Sequence, residues 1–564
     1  MSADFSFLET YIVSQAPTQS FAFLLQFTSG VKLTQAFGDP AQPLNFIGPE
    51  MCSSPSSSRT ESVSIDDMIS LPWDKSGVLP LTSGRNAISS GCQTVDGTSF
   101  PSTTHGTISL NPVNKSILVE KSRQILAGLK HLKDLSGSCK CHYTESRDTI
   151  AADFFSAFRL SSHLDHYWSN WHPNLPIIHR PWFNVLSAPS CLLASMAIMG
   201  GRYSANSRDQ AESRALFNDV EELVFHELST VISHLAKISH LTNNLQPQRQ
   251  HVQALQAAYI VLVYQSWDGS VADRHKARRH RFSQMIETMQ LLGIGKAKHR
   301  DYRCTSVDEF DWLQFVEMEE LTRIFVWCSL IDAAFVTFYN IAPRLGLREL
   351  RMGLPSPETC FEATSSETCL FELQKWQYQV DFDAETTLYD FLKSFCGAEM
   401  DFATQLRVAS HSTISLFCIA SGAYSLSPLL VSIDPYCEAA FHVMLFNSDP
   451  EIGALSQYDP ILTGLSNWRA VWNRKSMLSG EQISQQAIGV TSHDATRTGF
   501  WNYCPEYWLL AHVIVKEIIK TKSVNSNGRP MLAGASSAVS GYDEMTQGKL
   551  HDFIQSYQCG SLAL

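Results

Sequence analysis

At 564 residues and a formal net charge of -12, the chain is long enough for roughly two to four folded units, or one large unit with disordered flanks. It is too acidic to grip nucleic acid unaided, because phosphate binding needs a basic surface. Hydrophobic residues at 44% against charged residues at 17% exclude a wholly disordered chain, and the scattered cysteines suit free thiols in a reducing compartment, with no structural disulfide expected.

The first residues, Met1 to Gln15, hold Asp4 and Glu9 and no Lys or Arg, so they lack the positive start of a secretory signal. Here and around Asp66, Asp67 and Trp73, acidic residues are interleaved with aromatic and aliphatic ones. That texture suits an activation segment, and many solvent-facing loops share it. Residues 51–110 are about one-third Ser and Thr, with four prolines and no sustained period, which predicts a linker with too little to bury. Residues 1–150 are therefore expected to be a mostly flexible arm.

From about Asp153 the period becomes helical. Leu164, Tyr167, Trp168 and Trp171 share one face of a helix predicted over 162–171, with Ser162 and Asp165 spaced as a capping box and Pro173 and Pro176 as the stop. A short helix follows Pro189 and is expected to close at Gly200 and Gly201. Stripes run from Leu216 to Ile238 and from Val252 to Val263. A second capping box, Ser270 and Asp273, opens a helix that ends at Gly293. The longest candidate, Trp312 to Tyr339, is apolar nearly all round in its second half and belongs in the core. Its apolar run is broken by Asp332 and falls short of the roughly 18 residues that span a bilayer. Further helical patterns occupy 385–396, 402–425, 436–447 and 505–521. The expected fold class is all-α, a large multi-helix domain.

The stretch from His166 to Phe183 (HYWSNWHPNLPIIHRPWF) resembles the opening motif of the fungal-specific transcription factor domain, in which an aromatic helix runs into a turn of the form P-hydrophobic-hydrophobic-H-R-P-x-F. Later landmarks are similar and in the same order: Met199 to Tyr203, Ala215 to Phe217, Leu255 to Trp267, the Arg-rich helix Arg274 to Arg281, and Trp312, Glu320, Arg323, Asp332 and Pro343. The segment Ser20 to Ser29 is similar to the one that follows paired zinc fingers in some members.

The resemblance implies a transcription regulator working in the nucleus, with residues 151–450 as the regulatory domain and 451–564 as a C-terminal helical extension. It also implies partners that are other transcription factors or a second copy of the chain, and an effector that the sequence does not name. Members begin with zinc-binding DNA-recognition modules, and this chain starts where such a module would end. The zinc-finger part is therefore expected to be absent and promoter contact to be indirect. Control of a metabolic or secondary-metabolite gene cluster is a further implication. Trp171, Pro173, Pro176, His179, Arg180, Pro181, Phe183, Glu320, Arg323, Asp332 and Pro343 carry the motif.

Other candidate chemistry was weighed residue by residue. Cys139, Cys141 and His142 crowd three metal-ligand types together without the second ligand pair that a finger needs, so a loop of reduced thiols is the plainer reading. Arg274, Lys276, Arg278, Arg279 and Arg281 suit phosphate contact or nuclear import. They equally suit a helix face balanced by Asp268, Asp273 and the acids at Glu317–Glu320. Asn218–Glu222 and Asp381–Asp383 loosely resemble the acidic metal motifs of helical terpene cyclases, the alternative enzymatic reading, but their spacing is wrong and solvent-facing charge explains both. No catalytic residue, cofactor or membrane association is expected. Any ligand should sit between helices in an apolar pocket.

Overall fold

The described residues of the computed structural model are 21–30, 112–135, 142–239, 248–339, 341, 343–422, 459–486, 500–525 and 542–558. Among them there is no strand, and helices carry the whole architecture. In chain order the first part comprises α1 (Ala22–Thr28), α2 (Pro112–Leu135), α3 (His142–Phe154), α4 (Ala157–His166), α5 (Ser190–Arg202), α6 (Ser207–Ser239), α7 (Arg249–Asp268), α8 (Val271–Lys276), α9 (Phe282–Leu292) and α10 (Trp312–Tyr339). Then come α11 (Glu358–Phe361), α12 (Ser366–Val380), α13 (Leu388–Phe395), α14 (Phe402–Ala409), α15 (Thr413–Gly422), α16 (Asp459–Gln486), α17 (Cys504–Asn525) and α18 (Tyr542–Gln558).

The most regular segments follow their sequence pattern. Asp311 accepts the Gln314 N–H at 2.9 Å to start α10, and the helix runs to Tyr339 with every side of its apolar half buried. By length and composition alone α10 could cross a membrane, but here other helices of the chain enclose it. Ser270 and Asp273 form the expected capping box, and Gly293, at φ +88°, ends α9.

Elsewhere tertiary packing overrides the local signal. The predicted 162–171 helix begins earlier, at Ala157, so Ser162 and Asp165 lie inside it and cap nothing. The aromatic run Tyr167–Trp171 widens into a π-helical turn before a 3-10 turn at His172–Asn174. Gly200 and Gly201 lie within α5 rather than past its end, because α5 crosses α3 and α4 there at very short range. The 402–425 pattern divides into α14 and α15, and the predicted 436–447 helix and 51–110 linker lie outside the described residues.

Two apolar cores result. The larger gathers α4–α7, α9, α10, α15 and α17; the smaller joins Tyr302, Phe310, Phe315, Leu373 and Trp376 at the N-terminal end of α10. Within residues 1–150, the described stretches pack on the rest of the chain. Leu118, Ile125 and Leu129 of α2 are in the main core, and so are Phe21, Phe23, Leu24 and Phe27. Phe23 stacks on Tyr503 with ring centroids 3.9 Å apart, and the Glu506 carboxyl accepts the N–H groups of Phe23 at 3.0 Å and Leu24 at 2.9 Å. Thr28 meets His551 on α18 at 3.0 Å. An amphipathic stretch too short to stand alone is thus held by elements nearly 500 positions away.

Candidate functional site

Between the 3-10 turns at His172–Asn174 and Arg180–Trp182 the chain runs irregularly through the core, with Leu175, Ile177 and Ile178 buried. Buried backbone polar groups must find partners, and with no ladder available side chains supply them. Gln256 of α7 donates to the Ile177 carbonyl at 2.7 Å, Arg323 Nη1 of α10 to the Pro176 carbonyl at 3.4 Å, and the His179 N–H donates to Glu320 Oε1 at 2.8 Å. His179 Nδ1 in turn accepts the Trp182 N–H at 3.2 Å and caps the second turn. An imidazole accepting at Nδ1 carries its proton at Nε2. Burial, together with Arg323 and Arg249, pulls its pKa down to about 3. His179 is therefore neutral at ordinary pH, with its ring edge against Phe361 at 5.1 Å.

The remaining motif residues divide by position. Trp171 is buried. Arg180 is exposed and lies over the Trp168 ring at 5.6 Å, and Phe183 meets that ring edge-on at 5.1 Å. Pro173 and Pro181 sit inside the two 3-10 turns. Asp332 belongs to a separate junction about 13 Å further along α10, at 1.5 Å per residue from Arg323. Asp332 Oδ2 accepts the N–H groups of Arg344 at 2.8 Å and Leu345 at 2.9 Å, just after Pro343, and burial pushes its pKa up to about 6.

Glu319 and Arg323, one turn apart on α10, are both fully buried and joined at 2.5 Å. The other Glu319 oxygen receives His299 Nε2 at 2.5 Å, and the Ser356 N–H approaches both oxygens at 3.1 Å. Arg323 donates to the Ser356 carbonyl at 2.9 Å and lies over the Phe361 ring at 3.9 Å. Burial raises the Glu319 pKa, but Arg323 and His299 outweigh it and hold the group well below the usual carboxylate range. Glu320 goes the other way: burial raises it, and Arg249, at 3.9 Å, only partly offsets this. Sequence reading found the Glu319–Arg323 spacing but missed His299, Gln256 and Ser356, which no local pattern marks. The arrangement leaves no acid or base open to a substrate. It joins the motif turn, the loop at 297–302 and the loop at 354–358 to one helix.

The basic run has different partners from those expected. Lys276 reaches Glu221 at 2.7 Å and Glu222 at 2.6 Å, and Arg281 pairs with both, meeting Glu222 at 3.0 Å. Glu221 is buried, while Asn218 and Glu222 of the 218–222 segment are exposed. Arg278 is buried over the Tyr339 ring at 4.0 Å, whereas Arg279 is exposed and Arg274 half-exposed. Asp268 lies beside Arg202 instead, and Asp273 caps α8. Asp381 lies 3.7 Å from Arg303 and from Arg407, and Asp383 bonds the neighbouring Glu385 and Thr386. Among the described residues no three His, Cys, Asp or Glu side chains converge as a ligand set; Cys139, Cys141 and the His142 side chain lie outside them.

Residues 164–434 match the fungal specific transcription factor domain. The transcription factor verF of Penicillium polonicum is 30% identical over 76% of this chain and 57% of its own length. Two zinc finger proteins of Schizosaccharomyces pombe, zas1 and klf1, are each 21% identical, over 46% and 38% of this chain and 27% and 26% of their own lengths. The chain thus spans little more than half the first relative and about a quarter of the other two. No solved structure matches significantly.

Proposed function

We propose, from the premise that residues 164–434 are a fungal specific transcription factor domain, that this chain is the regulatory and interaction part of a transcription regulator. The domain match over the motif turn and α10 carries the reading. The engaged basic run supports it: Lys276 and Arg281 are neutralised by Glu221 and Glu222 and Arg278 is buried, so within this run only part of the positive charge faces solvent. Promoter contact then falls to a separate module, and the chain works in the nucleus through other factors or a second copy of itself. Its chemistry is binding rather than catalysis, with residues 151–450 as the regulatory body and 451–564 as its extension. Control of a metabolic or secondary-metabolite gene cluster is the finer form of the proposal.

The test is to fuse the chain to an unrelated DNA-binding domain upstream of a reporter, and separately to map promoter occupancy of the tagged native protein. A change in reporter output of several-fold and enrichment at a defined promoter set are expected. An unmoved reporter together with no enriched promoter would overturn the proposal. Diphosphate release from a prenyl diphosphate and magnesium would instead favour the cyclase reading.

A further inference from the structure

The sequence of α1 does little to stabilise it as a helix. It is seven residues long, well short of the roughly 12–15 at which an isolated helix becomes even marginal. Its N-cap, Phe21, makes no side-chain cap, and its first turn holds no acidic residue. The rest of the chain provides what is missing. The Glu506 carboxyl on α17 stands in for both cap and acid by accepting the Phe23 and Leu24 N–H groups. Phe23 and Phe27, one turn apart, enter an aromatic wall: Phe23 stacks on Tyr503, and Phe27 meets Phe338 of α10 at 5.1 Å and Trp267 of α7 at 5.7 Å. On α18, Tyr557 meets Phe21 edge-on at 5.8 Å and Gln547 donates to the Phe27 carbonyl at 3.2 Å. The next described helix, α2, begins more than 80 residues after Thr28. This is the geometry of a peptide helix laid in a groove, with its anchors four residues apart.

We infer that the groove between α10, α17 and α18 is a docking site for a short amphipathic helix of a partner protein, and that α1 occupies it in cis as the resident competitor. The partner fits by the chemistry that α1 displays. It carries aromatic residues four apart with an apolar residue after the first, and no acid in its first turn to contend with Glu506 for the N–H groups. When α1 withdraws, Phe338, Trp267 and Tyr503 lose an apolar cover that only a matching helix restores. The inference names a partner class for the regulatory reading above, on which its biological meaning rests. Binding is measured without any promoter, so the two can fail separately.

The probe is a fluorescent peptide of the α1 sequence, Phe21 to Ser29 with two lysines added for solubility, titrated by anisotropy into the purified full chain. Phe23→Asp sets a carboxylate against Glu506 and Tyr503 and expels the resident helix. That variant should bind the peptide one to one and at least about tenfold more tightly than the native chain, whose groove is already filled. A peptide carrying Phe27→Ala should bind the same variant at least about tenfold more weakly, because it lacks one anchor. Equal uptake by the two chains, no uptake by a folded Phe23→Asp chain, or indifference to the Phe27→Ala change would each overturn the inference. A native dimer that the peptide dissociates, read by light scattering, would assign the groove to α1 of a second copy and overturn it too. Should Phe23→Asp fail to fold, Phe23→Ala, which removes only the Tyr503 stack, is read in the same way. Failure of both to fold would make α1 an integral part of the core and count against the inference equally.

Discussion

Gly200 of α5 lies against the carbonyl of His163 in α4, so closely that a Cβ there would stand 1.8 Å from the oxygen. Ala in place of Gly improves helix propensity by about 1 kcal/mol, but a backbone collision at that range cannot be relieved by a side-chain rotation. Gly200→Ala is therefore expected to lose at least about 4 kcal/mol or to fail to fold. A urea midpoint equal to or above that of the native chain would show that the crossing is slack.

The Glu319–Arg323 pair makes a second prediction. Neutralising one member of a buried pair strands the other charge, so Glu319→Gln should cost about 3–5 kcal/mol. Adding Arg323→Met removes the stranded charge, and the double variant should lose less than the sum of the singles by about 1–3 kcal/mol. Strict additivity in denaturation would mean that the two side chains do not depend on each other. Full recovery is not expected, because the Gln amide keeps one acceptor oxygen where the Ser356 N–H and His299 had two.

The basic run supplies a third test, because its members differ in burial. Arg278→Ala removes a cation stacked on Tyr339 and leaves a hole, at an expected cost of about 2–4 kcal/mol. Arg279→Ala alters an exposed residue and should stay within about 0.5 kcal/mol. Similar thermal midpoints for both would refute the structural account of this turn. In that case nuclear accumulation of the two variants would be the measurement to make next.

Sequence legibility depended on how local each determinant was. Capping boxes and apolar stripes act within a turn or two, which is why Ser270–Asp273, Gly293 and the full extent of α10 could be read directly. The same local grammar misled at Ser162–Asp165, because S-x-x-D inside a helix is spelled as it is at a helix start. It misled again at Gly200, whose reason for being Gly is a carbonyl on another helix. His299 sits in a Lys- and Arg-rich loop that reads as surface, yet it is buried on a carboxylate 20 residues away. Glu506 carried no sequence signal, since what singles it out is a partner brought by the fold.

The clasp on α1 gives a prediction with a defined direction. Burial raises the Glu506 carboxyl to about 7 from an ordinary 4.5, although the N–H groups of Phe23 and Leu24 pull the other way. Between those two values the folded chain holds a proton that the unfolded chain has released, so stability from this group falls as pH rises from 4.5 to 7 and is constant above. The full shift corresponds to about 3 kcal/mol as an order of magnitude. The native slope alone would not isolate it. His163, His179 and His411 are depressed to about 4, 3 and 3, so they favour the fold increasingly as pH rises toward 6.5, while Asp332, raised to about 6, adds to the trend of Glu506. Glu506→Gln imitates the protonated acid and cancels these common contributions. Relative to the native chain the variant should gain about 2–3 kcal/mol between pH 4.5 and 8, read from urea midpoints at matched ionic strength. A native-minus-variant difference that does not change with pH would mean that Glu506 titrates in the folded chain as it does in the unfolded one, and would overturn the account of its burial.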